Sequence, residues 1–283
     1  MAEGEATYEP DNSLKRGYLS VFREIVDEVR KNRWLIYQLF RRDLYTTYGQ
    51  SIFGVLWTFI VPLVSVGTFV VLNLSGLLNV GEINVPYPIY ALLGFAFWQL
   101  FSNGLVASSN SLVKAGSMIV KINFSKKALV VSSMGLAMVS FLVQFVLTFV
   151  LFAFYRVAPS IMILLVPLLI IPLLLLTFGL GLMLSILNAV VRDFGTLLSI
   201  GMTFLLFLTP VLYVRPEAGI LAILSVYNPL YYLVSVPRDL VLGSSVTAAG
   251  WTGFLFSSIL STILFVVCLV AFHQAEARIA ERI

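Results

Sequence analysis

The 283-residue sequence is 59% hydrophobic and 11% charged, with 18 Lys or Arg against 14 Asp or Glu and a formal net charge of +4. Soluble domains are charged at about a quarter of their residues, so this composition excludes an ordinary soluble domain, as does the mean hydropathy of +0.97. The single cysteine, Cys268, excludes an internal disulfide and a cysteine-only metal site, and reads as a small buried hydrophobe.

The opening residues, MAEGEATYEPDN, are too polar and acidic for a cleavable signal or transit peptide, and residues 1–17 are expected to form a disordered cytoplasmic tail. From Tyr18, residues Leu19, Phe22, Ile25, Val26 and Val29 recur at helical spacing, with Arg23, Glu24, Asp27, Glu28, Arg30 and Lys31 on the other face. Arg23/Asp27 and Asp27/Lys31 are helix-spaced ion pairs. This predicts an amphipathic helix over residues 18–40, lying along the cytoplasmic interface with Trp34 and Tyr37 at headgroup depth. Such a helix either anchors the N-terminus or also offers a docking surface to a soluble partner.

Between Asp43 and Lys127 only Glu82, Lys114, Lys121 and Lys126 are charged. The uncharged stretches 44–81, 83–113, 128–155, 157–191, 194–214 and 240–275 each reach the ~20 residues that cross a hydrocarbon core of ~30 Å. Residues 41–283 therefore read as an all-α polytopic transmembrane domain, with six spans near 52–74, 88–110, 129–154, 160–187, 195–214 and 252–273. With both termini in the cytoplasm, fifteen Lys and Arg lie inside and three (Arg156, Arg215 and Arg238) outside, which satisfies the positive-inside rule. Ion-driven pumps need ionisable groups at membrane depth. The spans have none to spare, so any transport must draw its energy from elsewhere.

The second inside loop, about Ser111 to Lys127, carries four lysines and no acid. Val113, Met118, Ile119, Ile122 and Phe124 add a short helix with an apolar contact face. Residues 215–251 are too hydrophobic for a solvent loop, yet Asn228-Pro229 and Pro237 cut them into pieces too short to span. They are expected to form two short helices that enter the outer leaflet and return, shielded by protein.

No GxxxxGK[ST] phosphate loop is present, so this chain does not itself bind ATP in that manner. Metal-ligand spacing is absent, His273 stands alone, and Glu82, Asp193, Glu217 and Asp239 form no carboxylate pair for glycosyl chemistry. On span three, Phe141, Phe145, Phe149 and Phe152 follow one helical face beside Gln144 and Thr148. Such stripes usually meet lipid or other helices; the alternative is a pore whose rings face the apolar faces of sugars. Gly195, Ser199 and Thr203 form a small-residue line suited to close helix packing, including packing between two copies.

The segment RRDLYTTYGQSIFGVLWTFIVPL contains Arg42, Asp43, Leu44, Tyr48, Ser51, Gly54, Trp57 and Pro62 in the order R-D-L-x-x-x-Y, S-x-x-G-x-x-W and proline. NAVVRDFGTLLSIGMTFLLFLTPVLY runs from Asn188 to Tyr213, and YNPLYYLVSVPRDLVLG from Tyr227 to Gly243. Together, in this order and on these spans, they resemble permease subunits of type-2 ABC exporters, specifically the branch that exports O-antigen, capsule and teichoic acid. The resemblance covers nearly the whole chain beyond the N-terminal tail.

That resemblance implies a homodimer in the bacterial inner (plasma) membrane, partnered by two copies of a separate ATPase that binds the ATP and magnesium, while this chain holds no cofactor. The cargo implied is a lipid-linked polysaccharide moving between the protomers; nucleic acid is not an expected partner. By resemblance, Glu24, Asp27, Lys114, Lys121 and Asn123 would couple to the ATPase. Tyr227, Asn228, Pro229, Tyr231, Tyr232 and Arg238 would form the outer gate. Arg41 and Arg42, with Tyr45 and Tyr48, are placed to receive the lipid pyrophosphate, because planar guanidinium donors suit phosphate oxygens; positive-inside anchoring explains the two arginines equally well. Trp57, Phe141, Gln144, Phe145, Thr148 and Phe149 are channel-lining candidates. Two other readings stay open: the same fold exporting a drug or lipid, or a membrane-embedded glycan-assembly enzyme or scaffold.

Overall fold

The computed structural model describes residue 27 and residues 30–49, 53–78, 80–116, 125–191 and 193–279. The predicted tail and most of the first half of the predicted interface helix lie outside these, as do Glu24, Lys121, Asn123, residues 117–124 of the second inside loop and the side chain of Tyr48. Every regular element among the described residues is helical.

Helix α1 is Arg33–Tyr48, so the helix expected at the interface continues eight residues past its expected end at position 40. A 3₁₀ turn, Gly54–Leu56, leads into α2, Trp57–Leu74. Helix α3, Tyr87–Ala115, starts on Pro86, whose φ of −53° leads the chain into the helix. Helix α4, Lys126–Tyr155, ends where Arg156 turns left-handed at φ 55°. Beyond it a 3₁₀ turn (Ile161–Leu165), the short α5 (Val166–Leu169) and α6 (Ile171–Val190) form one apolar run, broken where Pro167 and Pro172 restart the helix. Helix α7 is Phe194–Leu208, α8 Ile220–Tyr227, α9 Pro229–Val241 and α10 Ala248–Ile279.

Five helical segments are long and apolar enough to cross a membrane: α2, α3, α4, the run Ile161–Val190, and α10 over Ala248–Ala275. The expected span at 195–214 is shorter. Its helix has 15 residues, about 22 Å of rise, and stops at Leu208 because Pro210 disfavours helical backbone at Thr209. Hydropathy continues through Val214, but the helix does not. Helices α8 and α9 meet at 87°, so the expected break at Asn228-Pro229 is present; by length and composition the pair fits either one broken span or two short helices that enter and return.

Helix α3 is the central rod, with every residue from Ile89 to Trp98 buried. Close crossings need residues without side-chain bulk. A Cβ on Gly104 would lie 2.9 Å from the Thr177 side chain and 3.2 Å from Met134 Sδ, and one on Gly181 2.6 Å from Ser108 Cβ, so α3 packs closely against both α4 and α6. Gly179, on the other face of α6, meets the Phe265 backbone of α10 in the same way, at 2.7 Å. Helix α1 docks on α4: Leu39 is buried, and the Phe40 ring fills the space a Cβ on Gly135 would need. One hydrophobic cluster, including Leu39, Leu112, Val130, Leu182 and Phe272, closes the α1 end of the bundle, and a larger one fills the middle and the α9 end.

Candidate functional site

Helix α7 is loosely enclosed: Gly195 is its one buried residue, and Leu197, Ile200, Phe204 and Phe207 are exposed. It is held at its ends by polar contacts, and at both ends a partner is α3. At the start, Asn188 closes the α6–α7 turn. Its amide nitrogen donates to the Ser109 carbonyl (3.1 Å) and to Asn110 Oδ1 (3.0 Å), while its oxygen accepts from the Gly195 N–H (2.8 Å). One fully buried side chain thus satisfies a free amide at the first turn of α7 and ties that turn to α3. The motif beginning at Asn188 marks a joint.

At the other end the backbone is irregular over 209–213, which a nonpolar setting tolerates only when the freed polar groups find partners. Four successive carbonyls do. Arg238 Nη1 donates to Pro210 O (3.4 Å) and Val211 O (2.9 Å), Tyr87 Oη to Leu212 O (3.1 Å), and Tyr90 Oη to Tyr213 O (3.2 Å). The Arg238 guanidinium also lies 4.0 Å above the Tyr90 ring, and its Nε pairs with Asp239 Oδ1 at 2.8 Å. Arg238 is only 3% exposed, so its charge is neutralised by contacts from three directions. Gly94 on α3 makes room, since a Cβ there would sit 2.5 Å from Val211 O. Asn228 completes the joint: Oδ1 caps α9 at the Leu230 N–H (3.0 Å), Pro229 occupies the first helical position, and Nδ2 donates to Thr209 Oγ1 (2.8 Å). The T-P-V and N-P-L…R motifs, seventeen residues apart at their nearest, are two halves of one hydrogen-bonded unit.

Of the remaining residues expected at the outer gate, Tyr227 is exposed at the end of α8. Tyr231 and Tyr232 pack edge to face, with ring centres 4.9 Å apart, and Tyr232 Oη donates to Val226 O across the bend. The residues expected at the outer gate therefore lie together, with Arg238 enclosed at the base and Tyr227 open at the tip.

The channel-lining candidates divide. Phe141, Gln144 and Thr148 are buried inside the chain, with the Phe141 ring 5.4 Å from Phe97 of α3, so this face of α4 is packed core. The same stripe fits either role in sequence, and the neighbouring α3 decides it. Phe145 stacks on Phe141 and is partly buried, whereas Phe149 and Trp57 are exposed. Trp57 packs edge-on against Phe53 at 5.5 Å. Open apolar faces occur on α2, through Val61, Val64 and Val71, and on α7, which touch through Phe69 and Phe207 at 6.5 Å, as they do on the outer sides of α4 and α10.

On α1, Arg42 forks onto Asp43 through Nε (3.0 Å) and Nη2 (2.8 Å). Arg41, one residue earlier, lies on the exposed stripe Trp34, Tyr37, Arg41, Tyr45, its guanidinium 5.5 Å from the Tyr45 ring. A hydrogen bond with Tyr45 raises the Arg41 pKa further above its ordinary value, so the charge is permanent. Asp27 and Lys114 are exposed at the α1 end, whereas Lys126 and Lys127 are buried where α4 begins. No cluster of three His, Cys, Asp or Glu suited to a metal occurs among the described residues.

Apolar helices of spanning length, an irregular segment satisfied by side chains, and a bent helix pair at one end define a polytopic helical membrane protein. The chain belongs to the ABC-2 type transporter family, whose profile matches residues 35–242. That range contains both joints of α7 and the bent pair. The chain is 27% identical over 252 residues to a Klebsiella pneumoniae protein named O-antigen export system permease protein RfbA, covering 87% of this chain and 94% of that one. A second protein of that name and organism is 26% identical over 255 residues, with the same coverage. One from Myxococcus xanthus, also named O-antigen export system permease protein RfbA, is 27% identical over 190 residues, 67% of this chain and 72% of that one.

Proposed function

We propose that this chain is the membrane-spanning subunit of an ATP-driven exporter that moves lipid-linked polysaccharide of the O-antigen type from the cytoplasm across the bacterial inner membrane. The observation that carries this reading is family membership together with near full-length similarity to two proteins named for O-antigen export, and similarity over about two thirds of the chain to a third. Two copies would pair with two copies of a nucleotide-binding ATPase, which supplies ATP and magnesium, and both termini would face the cytoplasm. The chain itself acts as a conduit without chemistry of its own.

The exposed faces of α2 and α7 are the best candidates for the walls of the path. They carry rings (Trp57, Phe204, Phe207) interspersed with hydroxyls (Thr68, Ser199, Thr203), and no charge. Rings offer contact to the apolar faces of sugars, and hydroxyls exchange hydrogen bonds without holding the chain in place. Each of these hydroxyls donates to a backbone carbonyl four residues earlier and keeps its lone pairs for a passing donor. Arg41 is the better placed of the two arginines for the lipid pyrophosphate, since Arg42 is engaged by Asp43. The α1 surface and the segment after Lys114 would meet the ATPase, with Phe40 against Gly135 passing motion from α1 to α4. Co-expression with the partner ATPase, followed by measurement of ATP hydrolysis with lipid-linked glycan, free glycan and lipid carrier alone, tests the reading. Stimulation by the lipid-linked glycan supports it; stimulation by drugs or simple lipids instead removes it.

A further inference from the structure

The two short helices at the α9 end differ sharply in how they are held. Helix α9 buries Leu230, the run Leu233–Arg238 and Val241, and is fixed by Arg238 to the 210–211 carbonyls and to Tyr90 of the central rod. Its last turn is tied again, by the Ser160 N–H donating to Val241 O at 3.0 Å. Helix α8 buries only Ala222 and Ser225; Ile220, Ile223, Leu224, Val226 and Tyr227 are exposed. It hangs between two joints. Gly219, at φ 95°, precedes it in a conformation that side-chain-bearing residues rarely adopt, and the 87° corner at Asn228-Pro229 follows it.

We infer that Arg238 is a positioning residue of the export cycle: it makes α9, the exit of α7 and the start of α3 one rigid body, and leaves α8 as the moving part of the outer segment. The inference deepens the exporter reading and rests on it for the cycle, although the anchoring by Arg238 can be tested without a partner. A guanidinium holding two backbone carbonyls, a carboxylate and a ring face is a geometry that neither Gln nor Lys reproduces. A displacement of α7 would therefore carry α9 with it, whereas α8 can swing about its two joints while every contact of Arg238 stays intact. In this arrangement the exposed tip, Ile220 to Tyr227, opens and closes, and the buried tyrosine–arginine base does not.

Single cysteines at Ile223 on α8 and Tyr231 on α9, in a Cys268→Ala background, provide the test through their reaction rate with a soluble maleimide. In the full-length permease in nanodiscs, Arg238→Gln should accelerate labelling at position 231 by about fivefold or more through local opening, while position 223 stays within about twofold. Arg238→Lys, which keeps the charge and loses the planar fork, should restore only part of the native rate. In the permease–ATPase complex with native Arg238, trapping with ADP and vanadate should change the rate at position 223 by about fivefold and that at 231 by less than about twofold. An unchanged rate at 231 in a monodisperse Arg238→Gln preparation overturns the anchoring, as does full rescue by Lys. Equal changes at both positions on trapping, or none at 223, overturn the division between fixed and moving helices. Failure of the ATPase to associate counts against the exporter reading alone, because the permease-only comparison still decides the role of Arg238.

Discussion

Arg238 and Asn188 occupy corresponding posts at the two ends of α7, and their chemistry differs. The arginine works through charge-assisted contacts, the asparagine through three neutral hydrogen bonds. Asn188→Ala leaves the Gly195 amide and Asn110 Oδ1 without their partner, at a cost of about 1–3 kcal/mol. In thermal unfolding this should lower Tm by about 2–4 °C per kcal/mol for a chain of this size, with Asn188→Asp intermediate because it still accepts from Gly195. At the α1 end, Arg41→Gln should raise the lipid-pyrophosphate concentration for half-maximal ATPase stimulation by about tenfold or more, the worth of hydrogen bonds to a charged group. Arg42→Gln should do less, because Asp43 already holds that side chain. A titration with the lipid-linked substrate and its dephosphorylated counterpart separates pyrophosphate recognition from simple loss of surface charge.

The helices themselves were largely legible, because uncharged length and turn chemistry act locally. Pro86 before α3, Pro229 opening α9 and the Asn228 cap were all visible as residues. What escaped was set by neighbours. The Phe141, Gln144 and Thr148 face has the period of a lining stripe, and only the presence of α3 against it makes it core. Span five was expected to reach position 214 because hydropathy does not register the break that Pro210 imposes on Thr209. Tyr87 and Tyr90 carried a usable signal, since buried tyrosine hydroxyls need acceptors, but their partners lie about 120 residues away, beyond any local pattern. Asn188 and Thr209 stood inside recognised motifs without a role until the fold joined them. At this scale the coupling between α1 and α4 makes its own prediction. Gly135→Val forces bulk into the space of the Phe40 ring and should separate α1 from α4. The expected result is ATP hydrolysis that persists while glycan export per ATP falls, measured in proteoliposomes containing both subunits. Gly179→Leu, pressed against the Phe265 backbone, should instead abolish folding, seen as loss of monodisperse protein on size exclusion.

For the whole molecule, the absence of charge from the spans, the central buried α3 and the open faces of α2 and α7 form one design. The α3 rod holds α7 at both ends, and in the proposed exporter the uncharged outer surfaces of α2 and α7 would face a second copy and a neutral chain passing between the two. Charge is kept to the α1 end, to Arg156, and to the loops and helices around α9, where Arg238 pairs with Asp239. Such a conduit needs an external engine, which is why its activity should vanish without the ATPase. The most direct measurement is ATP-dependent translocation of a lipid-linked O-antigen-type glycan in proteoliposomes containing this chain and its ATPase. The predicted result is glycan reaching the opposite leaflet only when ATP, ATPase and the permease are all present, with none moved when the carrier lacks its pyrophosphate. Translocation that proceeds without the ATPase, or ATP-driven movement of unrelated lipids while the linked glycan stays in place, would contradict it.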